Sequence, residues 1–144
     1  MLPEQTDWTH GSDERGARPL TESLMAFDLG QEIATLRQEP AWTEGDRNAR
    51  TLVKSAGIRL LLASLRESAE IQEQHGEGPV SIQMLEGRAT LSAGGAQVVL
   101  ETAALASIEA GLPWSLRADA QSAVLVTFAW TAGAGGTAGA GDRP

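Results

Sequence analysis

The stretch HGEGPVSIQMLEGRATL, His75 to Leu91, continued by SAGGAQVVLE, Ser92 to Glu101, decides how this chain is read. Val80, Ile82 and Met84 fall at every second position, the period of a strand with one buried face. Leu85-Glu86-Gly87 interrupts the run, and Ala89 and Leu91 resume it. Gly94-Gly95 then stands between two alternating runs, which is the signature of a tight β-hairpin.

The same punctuation continues on both sides. TLVKS, IRLLLASLR, AEIQEQ, ALASIE, WSLRA and SAVLVTFAW are short runs, β-branched or alternating, separated by Gly, Pro, Asn, Asp or Ser. Such spacing predicts an antiparallel sandwich or barrel. IRLLLASLR has the composition of a helix, but Ile58, Leu60, Leu62 and Ser64 share one face of a strand. Before these runs, SLMAFDLGQEIATLRQEP carries Leu24, Phe27, Ile33 and Leu36 at helical spacing. Ser23 or Asp28 can cap it, the helix is strongest over 31–39, and Pro40 ends it. AWTEGDRNAR reads as a loop, and its Asp46, Arg47, Asn48 and Arg50 as a solvated turn. Trp42 is expected to dock the helix on the barrel. Arg59, Arg66 and Arg88 read as surface or interface cations. The expected order is therefore a disordered leader over 1–20, a helix and loop over 21–48, a barrel over 49–131 and a flexible Gly/Ala tail over 132–144.

Composition narrows the chemistry. The 144 residues suit one core, and the formal net charge is −8 with no basic stripe, so nucleic acid is not an expected partner. There is no cysteine, hence no disulfide and no thiolate metal site. There is no tyrosine, and the two histidines are His10, in the polar leader, and His75. The leader lacks the apolar run of a signal peptide, and no segment approaches the ~18 apolar residues of a membrane span. A cytoplasmic location, with no membrane partner, is the expectation.

The order HGEGPVSIQMLEGRATL, a Gly-Gly hairpin and then AGLPW over 110–114 resembles the cupin superfamily, over roughly residues 49–130. The resemblance implies an all-β fold, a double-stranded β-helix or jelly-roll barrel, here with a short N-terminal helix. It also implies pairing of barrels into a homodimer. In metal-binding cupins a first motif supplies two histidines and a glutamate, and a second supplies a third histidine. Those positions fall on Glu73, His75, Val80 and Trp114. In the second motif Gly111 matches, while Glu109 and Ala103 replace a proline and a glycine. An indole nitrogen donates a hydrogen bond and cannot ligate a cation, and valine has no donor atom at all. The metal-free sugar epimerases of this fold pair a histidine base with a tyrosine acid, and this chain has no tyrosine.

Three functional readings follow. The one placed first is a metal-free barrel that is not an enzyme, has no cofactor, and binds a small molecule or acts as a dimeric interaction module. Its pocket would be lined by Trp114, His75, Glu73, Val80, Ile82, Met84 and Leu116. The alternative is a metal-dependent cupin enzyme, of dioxygenase or isomerase type, with a reduced site at Glu73 and His75. The third is a structural dimer whose interior is packed shut around Trp114.

Overall fold

The structure is a computed structural model, and it describes residues 23–130. The expected leader, and the tail with residue 131, lie outside the described residues. Helix α1 spans Leu29–Leu36 and a one-turn helix, α2, spans Pro40–Thr43. Nine strands follow among the described residues: β1 Arg47–Ser55, β2 Ile58–Leu65, β3 Glu70–Gln74, β4 Val80–Glu86, β5 Arg88–Ala93, β6 Ala96–Glu101, β7 Leu105–Ile108, β8 Trp114–Ala118 and β9 Ser122–Ala129. They form a five-stranded sheet in the order β1-β2-β9-β4-β7 and a four-stranded sheet in the order β3-β8-β5-β6, with antiparallel pairing throughout. This is the all-β jelly-roll barrel, with a short helix against it.

Alternation sorts the apolar residues between two cores. Leu61, Ala63 and Leu65 of β2, Val80, Ile82 and Met84 of β4, Leu116 of β8 and Val126 of β9 meet between the sheets. Leu62, Leu52 and Ala123 point the other way and are covered by Ile33 and Leu36 of α1. The run Leu60-Leu61-Leu62 is therefore strand covered on both faces, the situation that produces continuous apolar runs. Gly87 carries the chain between the sheets at φ +95°, and a Cβ there would sit 2.3 Å from Ser122 Oγ. Gly94 and Gly95, at φ +57° and +85°, form the β5–β6 hairpin turn, whose positive φ at both positions glycine adopts without strain.

The N-terminal segment differs from expectation in two respects. Asp28 caps α1, its Oδ1 accepting from Gln31 N at 3.1 Å, but the helix ends at Leu36, ahead of Pro40. Pro40 instead opens α2, as proline does at a first helical position, where no N–H is needed.

The second difference concerns Arg47 to Arg50, which are not a solvated turn. They begin β1, and Asn48 and Arg50 are buried beneath α1. Asn48 Nδ2 donates to Leu36 O at 3.0 Å and to Glu39 Oε1 at 2.8 Å. The Arg50 guanidinium bridges Glu32 and Glu39, the latter at 3.0 Å. Trp42 is buried, with the guanidinium groups of Arg37 and Arg66 at 5.3 and 4.1 Å from its ring centre. Arg66 also donates to the carbonyls of Gly45 and Trp42, each at 3.1 Å, so it is a clamp on this segment rather than a surface cation.

Candidate functional site: one end of the barrel interior

Trp114 opens β8 and is 2% exposed. Its alternation partners Leu116 and Ala118 lie in the inter-sheet core, so the indole points inward too. On its own sheet Trp114 stands between Gln74 of β3 and Ala93 of β5. Across the barrel, Val80, Ile82 and Met84 of β4 are buried in the same cluster. The structure thus brings together five of the residues expected to line a pocket: Trp114, Val80, Ile82, Met84 and Leu116.

It does not add Glu73 and His75. Both side chains are exposed, and His75 lies beyond the last residue of β3. The cause is a bulge. The β3–β8 register passes from Ile71 opposite Leu116 to Gln74 opposite Trp114, using one more residue on β3 than on β8. An extra residue reverses the facing of everything after it. Gln74, not Glu73, therefore stands opposite Trp114. Glu77, in the following loop, is also exposed.

The donor set does not fit the metal that the family resemblance implies. Two of the four ligand positions, Val80 and Trp114, are buried without a ligating atom, and the other two face outward. Among the described residues no group of three or more His, Cys, Asp or Glu side chains is placed to hold an ion.

Two polar features of this end were not read from the sequence. The indole Nε1 of Trp114 is buried and makes no hydrogen bond. Arg59 of β2 is in register with Phe128 of β9, and its guanidinium lies 5.3 Å from the Phe128 ring centre. Phe128 belongs to the inter-sheet core, so Arg59 faces the interior end and is not a surface cation. The signal was present: Arg59 precedes Leu61, Ala63 and Leu65 in strict alternation.

No family model matches the sequence, and no curated protein matches it. Solved structures do match. A conserved protein of unknown function from Streptococcus pyogenes is 20% identical over 77% of this chain and 91% of its own, with a TM-score of 0.59. A cupin superfamily protein from Desulfitobacterium hafniense is 14% identical over 58% of this chain and 76% of its own, with a TM-score of 0.56. Salicylate 1,2-dioxygenase from Pseudaminobacter salicylatoxidans reaches a TM-score of 0.68 at 16% identity, over 78% of this chain but 36% of the enzyme. The chain therefore has the cupin fold. At these identities the likeness is one of architecture, and one architecture hosts many unrelated functions. No helix among the described residues is long and apolar enough to cross a membrane.

Proposed function

We propose that this chain is a metal-free, non-catalytic barrel that binds a small molecule at the Trp114 end of its interior. One observation carries the reading: the indole N–H of Trp114, at the position to which the resemblance to metal-binding cupins assigns a histidine, is buried without an acceptor. An orphaned buried donor costs about 1–3 kcal/mol, so an acceptor from outside the chain has that much to recover. The surrounding Val80, Ile82, Met84 and Leu116 offer apolar contact and no reactive group, which favours binding over catalysis. The dioxygenase among the structural neighbours keeps the enzyme alternative in view, but Glu73 and His75 lie on the wrong face to serve a shared interior site.

Elemental analysis of the purified protein tests the reading. It expects no stoichiometric transition metal. Iron, manganese, nickel or zinc at one equivalent, lost in His75→Ala, would establish the metal-dependent alternative instead.

A homodimer is the second reading, and a separate observation favours it. Strand β6 is an outer strand of the four-stranded sheet, and Val98 and Val99 are 48% and 52% exposed on its two faces. No charged residue lies between Arg88 and Glu101, whereas edges that avoid pairing usually carry charge. Antiparallel pairing of β6 with β6 of a second copy, with Val98 opposite Val99, would set Glu101 against Ala96 and bring no like charges together. Light scattering on the purified protein expects a dimer, and a monomer at all concentrations would reject it.

A further inference from the structure

We infer that the second copy in the dimer seats along a whole side of the barrel, on β7 as well as β6, with Leu105 and Val98 as its apolar anchors. This rests on the homodimer reading above and extends the surface that the partner copy covers. The barrel has two sides where its sheets end. On one side the end strands are β1 and β3, and on the other they are β7 and β6.

The β1–β3 side is closed from within the chain. Arg47 of β1 donates to Glu70 O of β3. Both strands carry charge, Arg47, Arg50 and Lys54 on one and Glu70 and Glu73 on the other, as edges that avoid pairing usually do.

The β6–β7 side is left open. A tight turn joins the two strands end to end, Ala104 N donating to Glu101 O at 2.8 Å, but they do not pair with each other. Val98 pairs with Leu91 and alternates with Leu100, and both of those lie in the inter-sheet core. Val98 therefore faces the interior, yet it is 48% exposed. From the other sheet, Ala104 and Ala106 pack on the core with methyl groups alone. Ala106 is in register with the buried Ile82, so Leu105 points outward beside the opening, and it is 67% exposed. From Ala89 to Ile108, through β5, β6 and β7, Glu101 is the one charged residue, although charged residues make up 21% of the chain. The centre of a contact between proteins is depleted of charge in this way.

Strand β6 alone is too small for a stable contact. Its six residues make an edge about 20 Å long, and a strip about 10 Å tall along it presents about 200 Å². A stable interface buries about 800 Å² on each partner. The adjoining surface without charge is β7. With β6 against β6, β7 stands in the layer behind, and two-fold symmetry turns β7 of each copy toward the other. The two Val98 side chains then lie between the layers, and the opening in each barrel is covered by its partner.

Sedimentation equilibrium of the full chain tests this through the dimer dissociation constant. Leu105→Lys is expected to weaken the dimer by about tenfold or more, since it puts a charge into a desolvated apolar contact. Ile58→Lys is the control. Ile58 is 37% exposed on β2, separated from β7 by β9 and β4, and the substitution changes the net charge equally. It is expected to leave the constant within about twofold, as a surface substitution away from the contact does. Unchanged dispersion of the backbone amide signals shows that Leu105→Lys is folded. Should it not be, Leu105→Thr, polar and suited to a strand, is expected to weaken the dimer by about threefold or more. If Leu105→Lys leaves the constant within about twofold while Val99→Lys dissociates the dimer, the β7 contact falls and pairing through β6 stands. Equal weakening by Leu105→Lys and Ile58→Lys also overturns the β7 contact, because the effect is then not local to that strand. A wild-type chain that is monomeric at all concentrations, or a dimer indifferent to both Val99→Lys and Leu105→Lys, removes the β7 contact together with the homodimer reading.

Discussion

The two faces of the five-stranded sheet handle polar groups in opposite ways. On the outer face, under α1, buried polar side chains answer one another. Arg50 bridges two glutamates, Asn48 holds the last carbonyl of α1, and Arg37 donates to Ser64 Oγ at 2.7 Å and Glu86 Oε2 at 2.8 Å. Toward the inner face, from β8 of the opposite sheet, points the Trp114 indole, whose N–H has no acceptor. The charged groups that fasten α1 are paired within the chain, although the buried Arg50 Nε makes no hydrogen bond, since a buried charge left without a counter-charge is costly. The unsatisfied Trp114 donor is the atom on which the proposed binding rests. The contrast separates residues that build the fold from residues that would use it.

The largest expected effect breaks the outer face. Arg50→Met leaves Glu32 and Glu39 facing each other without their shared cation and should cost about 3–5 kcal/mol in urea unfolding. A loss below about 1 kcal/mol would mean that this network does not hold α1. Next is the crossing between the sheets. Gly87→Ala forces an L side chain into the left-handed region and a Cβ against Ser122, and should cost about 2 kcal/mol or more by the same measurement.

Smaller effects belong to the inner face. Trp114→Phe removes the orphaned donor together with part of a buried ring. The lost burial and the relieved desolvation oppose each other, so ligand-free stability should fall by no more than about 1 kcal/mol. A drop as large as that of Arg50→Met would show that the indole N–H is satisfied in solution and would erase the contrast. The smallest change in stability belongs to Val99→Lys on the exposed edge, within about 0.5 kcal/mol. Its expected signature is in mass, a shift from dimer to monomer by light scattering.

Much of the barrel was legible because its strands carry their facing in the alternation of side chains. AQVVLE and WSLRA correspond residue for residue to β6 and β8, and SAVLVTFAW to β9 with one residue beyond it. The Asp-Arg-Asn-Ala-Arg segment was misread because polarity resembles solvent exposure until a helix is known to lie over it. Its partners Glu32, Leu36 and Glu39 come from a separate element, and no local pattern announces that they will meet it. Glu73 and His75 were misplaced for a different reason. Their common facing assumed an unbroken strand, and a bulge between Ile71 and Gln74 is a property of pairing with β8.

By itself the sequence determined the antiparallel barrel and the apolar character of Val80, Ile82, Met84 and Leu116. These follow from residue type and from a period of two, both local quantities. Only the tertiary structure decided that Gln74 stands opposite Trp114, that Arg50 is a buried tie and that Arg59 lies over Phe128. Each depends on which strands pair and in what register, and register is fixed by burial summed over a whole sheet rather than by any one stretch of chain.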